Sequence, residues 1–338
     1  SCENPVTCSA TFTVTAAPAL MLTCPVNQTE AACQTQASID SKFSTWLNTV
    51  SFGGGCNTML SNNNTGAPKA CGGTATVTFT VTSSCSNSMT CSATFAVDSS
   101  PVMLTCPVNQ TEAACQTQAA IDSKFSTWLN TVSTSGGCNA VLSNNNTGAP
   151  NACGGTTTVT FTVTSDCQSP VTCSATFTVN SSPVMLTCPA NQTEAACQTQ
   201  AAIDSKFSTW LNTVSTSGGC NATLSNNNTG APNACGGSTT VVFTVTSSCE
   251  APVTCTATFT VTNAPTVNLT CPINATAPLC PTQAQLDADF AAWLNTAGFT
   301  GGCNATLSNN NTGAPPICGG TTTVVFTVTS SCENPVTC

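Results

Sequence analysis

The sequence has no histidine, no arginine and no tyrosine, and only four lysines among its 338 residues. Each absence removes a class of function. Without histidine there is no ordinary general base near neutral pH and no imidazole metal ligand. Without arginine and with so few lysines there is no cationic surface to follow a phosphate backbone, so nucleic acid is excluded as a partner. Anionic membrane surfaces are excluded for the same reason. No apolar run is long enough for a transmembrane helix, so no membrane insertion is expected in this segment. Charge is scarce of either sign: 13 acids against four bases give −9. The exposed surface must therefore be built from Thr, Ser, Asn and Gln.

Cysteine and repetition are abundant. There are 26 cysteines, and "SCENPVTC" stands at both 1–8 and 331–338. "LTCP" recurs with its cysteine at Cys24, Cys106, Cys188 and Cys271, a nearly constant step. "NNNTGAP" and "WLNT" keep the same period. The chain reads as the C-terminal end of a preceding repeat (1–18) followed by repeats over 19–100, 101–182, 183–265 and 266–338, taken from a longer array. Modules of about 82 residues bury little surface for their size and call for covalent support. Six cysteines per repeat predict three disulfides each, in an oxidising compartment outside the cytosol. No CxxC spacing supports a zinc or thioredoxin-like site. The hairpin-like spacing points to the local pairs Cys2–Cys8, Cys85–Cys91, Cys167–Cys173, Cys249–Cys255 and Cys332–Cys338. The pairing of Cys106, Cys115, Cys138, Cys153 and their equivalents stays open among the possible connectivities.

Repeat 2 shows how a module should fold. "PVMLTCP" (101–107) reads as a strand and "VNQTEAAC" as a loop. Ile121, Phe125, Trp128, Leu129 and Val132 mark one face of a helix of about 16 residues, capped by Thr117 and ended by Gly136 and Gly137. In repeat 4, Thr282 and Gln285 fit a capping box. A short strand at 138–143 precedes a turn-rich stretch. Then "TTTVTFTVTSDC" and "TCSATFTV" alternate strictly, with Val159, Phe161 and Val163, and Ala175, Phe177 and Val179, facing inward. The fold class expected is mostly β with one helix per repeat: small disulfide-stapled immunoglobulin-like sandwich modules in tandem, as an extended rod, with a two-layer α+β unit as the alternative.

No residue set supports catalysis, a cofactor or a metal. Asp122, on the helix's early turn, suits the helix dipole. The joints carry too few carboxylates for calcium. Repeat 4 has no lysine for an isopeptide staple. The loop Asn144, Asn145, Asn146 and Thr147 could contact a surface or glycan, or serve only as a turn. Outward threonine rows could be an ice-facing surface or an ordinary solvated sheet face. Asn-x-Thr sequons occur, among others, at Asn109, Asn145, Asn191 and Asn221.

The stretch "LTCPVNQTEAACQTQAAIDSKFSTWLNT", closed by "TVTFTVTSDC" and "TCSATFTV", resembles tandem modules of giant Bacteroidota cell-surface proteins. Its last strands are similar to those of HYR and other immunoglobulin-like adhesion modules. The helix departs from a standard HYR module. The resemblance implies type IX-secreted adhesins or gliding-associated filaments, anchored to the outer membrane by other regions. Three roles follow as expectations: a structural stalk giving reach and stiffness, repeated weak glycan- or surface-binding modules acting by avidity, or a self-assembling extracellular fibre. The partners would be neighbouring repeats of the same chain, other copies of the filament, or surface glycans.

Overall fold

A computed structural model describes residues 2–338. By internal contacts the chain divides into two compact units, one running to Asn180 and one from Ser181 to Cys338. Each unit holds two repeats in the numbering above.

Repeat 1 comprises β1 (Met21–Thr23), β2 (Gln28–Glu30), α1 (Gln36–Leu47), β3 (Ser51–Gly53), β4 (Met59–Asn62), β5 (Gly73–Thr82) and β6 (Met89–Val97). Four strands form one sheet in the order β2-β6-β5-β4. β5 and β6 are the antiparallel hairpin that the alternation predicts, with Phe79 opposite Cys91. β2 joins the far edge in parallel to β6. β1 and β3 make a separate antiparallel ribbon. Because side chains alternate across a strand, Val77, Phe79 and Val81 of β5 and Ala93, Phe95 and Val97 of β6 share one face. All six are buried. Ile39, Phe43 and Trp46 of α1 pack into that face, and Cys24 beside β1 joins the cluster. Repeats 2 and 3 have the same strand order. Each of these three repeats is thus a sandwich of unequal layers: a four-stranded sheet on one side, a helix and a two-stranded ribbon on the other.

The aromatic residues give the core its shape. Phe43 meets Phe95 edge-on at 5.3 Å between ring centroids, and Trp46 meets Phe95 at 5.6 Å. Perpendicular packing of this kind sets each ring's positive edge against its neighbour's negative face. Trp46 also needs a partner for its indole N–H. Its Nε1 donates to the Val26 carbonyl oxygen at 2.7 Å, tying helix to β1–β2 loop. The same bond recurs from Trp128 to Val108, Trp210 to Ala190 and Trp293 to Ile273.

Several expectations are corrected in detail. The helix of repeat 2 spans Gln118–Leu129, 12 residues, with Thr117 accepting from the Ala120 N–H as its N-cap and Asn130 as its C-cap. The residues after it form the strand Ser133–Ser135 instead of further helix turns. Their pairing with Met103–Thr105 gives that short strand the backbone partners that a longer helix, bonded within itself, would leave it without. The loop read at "VNQTEAAC" contains the strand Gln110–Glu112. Asp122 lies beyond the first turn, which carries no acid. It accepts a hydrogen bond from Gln118 Nε2 at 2.8 Å. In repeat 4, Thr282 caps the Gln285 N–H, but Gln285 Nε2 donates to Asp289, so the reciprocal half of the capping box is not made.

Repeat 4 differs from the rest. Its sheet has three strands, Thr306–Asn309, Phe326–Thr329 and Val336–Thr337. Residues 275–277, equivalent to β2, form no strand. Phe290 and Trp293 are only partly buried, whereas Phe125 and Trp128 are both 3% exposed.

Candidate functional site

The chemistry that sets this chain apart is its sulfur connectivity. The first cysteine of each repeat pairs with the sixth of the same repeat: Cys24–Cys91, Cys106–Cys173, Cys188–Cys255 and Cys271–Cys338. Each of these bonds fastens the start of the module to the inner face of its closing hairpin. Two further bonds leave the repeat. Cys33 of repeat 1 pairs with Cys138 of repeat 2, and Cys71 pairs with Cys167. In the second unit, Cys197 pairs with Cys303 and Cys235 with Cys332. The joint inside each unit is therefore crossed by two disulfides in addition to the backbone. Cys115, Cys153, Cys220 and Cys249 are disulfide-bonded as well.

The local pairs expected from spacing are not formed. Cys91, Cys173, Cys255 and Cys338 are taken by the first cysteines of their own repeats, while Cys167 and Cys332 reach back to the preceding repeat. Cys2, Cys8 and Cys85 carry free thiols. The physical reason lies in the register. Cys173 stands opposite Phe161, well inside the strand Gln168–Val179, while Cys167 sits in the tight turn after Ser165. Six residues of extended chain separate the two by roughly 20 Å. A disulfide needs Cα atoms within about 7 Å. Cys173 and Cys106 meet that condition at 5.9 Å. Three bonds confined to each repeat are accordingly replaced by one internal bond and a pair shared across each joint inside a unit.

The backbone around the linking cysteines is specialised. Cys33, Cys115 and Cys197 all have φ of 65°. A non-glycine residue in that left-handed region is strained and persists only where its surroundings hold it. On the receiving side, the Cys138 N–H donates to Ser165 Oγ at 3.0 Å and the Asp166 N–H donates to the Cys138 carbonyl at 3.0 Å. That clasp holds Cys138 beside Cys167. In repeat 1 the same clasp holds Cys56 and Cys85, both free. Hydrogen bonding with Cys85 and burial push the Cys56 thiol above its ordinary range.

A second recurring cluster stabilises the helix. Lys124 Nζ lies 2.5 Å from Glu112 Oε2. Gln110 and Gln116 donate to the same carboxylate at 2.7 and 3.1 Å. This concentration of donors, led by the Lys124 ammonium, lowers the Glu112 carboxyl to about 2. Glu30 with Lys42 repeats the arrangement, also lowered to about 2, and Glu194 with Lys206 follows it. In repeat 4 both partners change together, to Ala277 and Asp289. The sequence shows Glu112 and Lys124 recurring, but not that they meet.

The Asn-rich loop is committed to the backbone. Asn145 Oδ1 accepts from the Thr160 N–H at 2.8 Å, Asn144 Oδ1 from the Asn146 N–H, and Asn146 Oδ1 from the Gly148 N–H. Asn109 plays the same part at the other edge, accepting from the Thr176 N–H at 2.9 Å. These amides extend the sheet where strand pairing stops. Thr147 is exposed and joins no hydrogen bond described for this loop. The outward threonines pair with one another across strands, as in Thr156 with Thr178 and Thr160 with Ser174.

Among the described residues, no group of three His, Cys, Asp or Glu side chains is placed to hold a metal. No helix among them is long and apolar enough to cross a membrane.

No protein-family model matches the chain, and no curated protein matches it. Solved structures do. Protocadherin gamma B2 extracellular cadherin domains 3–6 align over 95% of this chain and 97% of theirs, at 8% identity and a TM-score of 0.31. The titin I-band fragment I67–I69 aligns over 73% of this chain and 99% of its own, at 8% identity and 0.23. Drosophila N-cadherin EC1–4 aligns over 74% and 76%, at 8% identity and 0.25. Likeness of this degree leaves the fold to be described from the chain's own sheets, helix and disulfides.

Proposed function

We propose that the chain is a stalk segment of a repetitive extracellular adhesin or surface filament, whose task is mechanical: reach and stiffness without chemistry. One observation carries this reading. Inside each unit two disulfides bridge neighbouring repeats, so bending or extending the joint strains covalent bonds as well as a short linker. A binding array gains from independent modules on loose tethers, whereas a spacer gains from modules that cannot move apart. The disulfide density fits an oxidising, extracytoplasmic location. The charge-poor Thr-, Ser- and Asn-rich surface fits an exposed and weakly interacting segment. A Bacteroidota adhesin or gliding-associated filament, exported by a type IX system and anchored to the outer membrane through other regions, is the setting its module texture resembles.

Solution scattering on the oxidised and the reduced protein tests the stalk directly. Reduction, which opens the disulfides across the joints, is expected to raise the flexibility of the chain above that of the oxidised protein. Equal flexibility before and after reduction contradicts the reading. So does reproducible binding on a glycan array that mutation of Asn145 and Thr147 abolishes.

A further inference from the structure

The two disulfides across a joint end on a single clasp. In repeat 2 the Cys138 and Cys167 N–H groups both donate to Ser165 Oγ, at 3.0 and 3.5 Å. Ser165 Oγ donates in turn to the Cys138 carbonyl at 3.1 Å, and the Asp166 N–H donates to the same oxygen. In the second unit Cys303 and Cys332 converge on Ser330 Oγ at 3.0 and 3.4 Å. One serine hydroxyl thus holds two cysteine backbones side by side, the arrangement that a disulfide between them would need. Neither is bonded to the other. Cys138 takes Cys33 and Cys167 takes Cys71, with Cα atoms 5.0 and 5.1 Å apart.

The other ends of these two bonds face solvent. Cys33 and Cys71 are exposed, whereas Cys138 is 4% exposed. An incoming thiolate therefore reaches the Cys33 or Cys71 sulfur, and the sulfur that leaves stays in the clasp. The bonds internal to a repeat are placed differently. Cys24, Cys91, Cys106 and Cys173 pack against the module cores. No cysteine of a joint belongs to a core cluster among the described residues, and each such cluster lies within one repeat. Opening a joint takes no residue out of a core.

We infer that each doubly bridged joint is a thiol-operated switch in which the clasp relays the opening of one disulfide to the other. A small-molecule thiolate attacks the Cys33 sulfur, forms a mixed disulfide with it and releases Cys138 as a thiolate. Cys138 then attacks the Cys167 sulfur beside it, forming a Cys138–Cys167 bond and releasing Cys71 as a thiolate, which takes up a proton. A second small-molecule thiol resolves the mixed disulfide on Cys33 and leaves as a small-molecule disulfide. Two small-molecule thiols and two joint disulfides become one clasp disulfide, free thiols at Cys33 and Cys71, and one small-molecule disulfide. Entry at Cys71 gives the same products in the reverse order. In the second unit the products are a Cys303–Cys332 bond with Cys197 and Cys235 free.

The second step is intramolecular, so it outruns attack by a second external thiol on the remaining joint bond. Both bridges of a joint are lost on one two-electron input, and the folded modules remain connected by the linker alone. Reoxidation by a small-molecule disulfide restores the bridges by the same exchanges run backwards. The inference does not depend on the stalk reading, because it concerns sulfur exchange within the chain.

The experiment is a graded titration of the full oxidised chain with reduced and oxidised glutathione, quenched in acid and read by maleimide labelling and non-reducing peptide mapping. At the first opening, linked Cys138–Cys167 and Cys303–Cys332 peptides are expected, with label on Cys33, Cys71, Cys197 and Cys235. Cys24–Cys91 and Cys106–Cys173 should stay closed, and Trp46 and Trp128 should keep the emission of the folded protein. Ser165→Ala removes the shared acceptor and should lower the Cys138–Cys167 yield about fivefold relative to Cys303–Cys332 in the same molecule, the worth of about one hydrogen bond. Labelling of all the cysteines of an opened joint, with no clasp peptide, overturns the inference. Internal bonds that open as early as the joint bonds, or a Cys138–Cys167 yield indifferent to Ser165→Ala, overturn it equally.

Discussion

Replacing Cys33 and Cys138 together by alanine removes one clamp across the first joint and leaves no orphan thiol. The bond closes a loop of 105 residues in the unfolded chain. A loop near 100 residues gives about 4.7 kcal/mol of stabilisation in the chain-entropy account. The other bonds shorten the free loop, since a path from Cys33 back to Cys24, across to Cys91 and on to Cys138 is roughly half as long. The dependence is logarithmic, so the figure falls only to about 4 kcal/mol. In a unit of this size, each kcal/mol shifts the midpoint by about 2–4 °C, so a fall of about 8–16 °C is expected. Urea titration followed by Trp46 and Trp128 fluorescence reads the free energy, and a thermal scan reads the midpoint. Both indoles sit in module cores, so their emission reports unfolding and not joint opening. A loss below about 1 kcal/mol would refute the reasoning: either the bond does not form, or the unfolded ensemble is already confined without it.

Other consequences follow from the same geometry. Phe125→Ala should cost about 3–5 kcal/mol because the ring is fully packed, as denaturant titration reads. The depressed Glu112 carboxyl makes a contribution present above its unfolded value near 4.3 and lost as the pH falls towards about 2. Lys124→Ala should therefore bring the Glu112 midpoint, read by carboxyl-carbon NMR, up towards the ordinary range, while Lys124's exposure keeps the change in neutral-pH stability below about 1 kcal/mol. Gly136→Ala should destabilise strongly, since φ is +69° and a Cβ would fall 2.0 Å from the Pro101 carbonyl oxygen. Gly148→Ala, at φ +115° with open space around it, should cost only the backbone strain, and thermal melts separate the two. Asn145→Ala should lower stability by about 1–2 kcal/mol through the unpaired Thr160 N–H, as urea titration reads.

The parts of this fold legible in the sequence are those with long, apolar periods. Ile121, Phe125 and Trp128 recur at helical spacing, and Val159, Phe161 and Val163 alternate over a strand long enough to show it. The apolar start of the module, read as a strand over 101–107, does hold the short strand Met103–Thr105, but the polar three-residue strands are not legible. Gln110–Glu112 is polar and shorter than one alternation, and its place is set by pairing with Phe177–Val179. Ser133–Ser135 is likewise polar and is recruited by the ribbon, which trims the helix to 12 residues. Cysteine pairing escapes a local reading for a related reason. Proximity along the chain favours Cys167 with Cys173, but an extended strand carries neighbours apart, and the true partners lie 67 to 106 residues away. One signal is available: the hairpin's own alternation runs through Cys173 without a break and already places it inside a strand.

The central claim is that disulfides cross the joint inside each unit. Peptic digestion of the unreduced protein at acid pH, where thiol exchange is suppressed, followed by mass spectrometry of the linked peptides, addresses it most directly. The connectivity described here predicts fragments joining Cys33 to Cys138, Cys71 to Cys167, Cys197 to Cys303 and Cys235 to Cys332. Recovery instead of pairs confined to single repeats, such as Cys167 with Cys173, would contradict it.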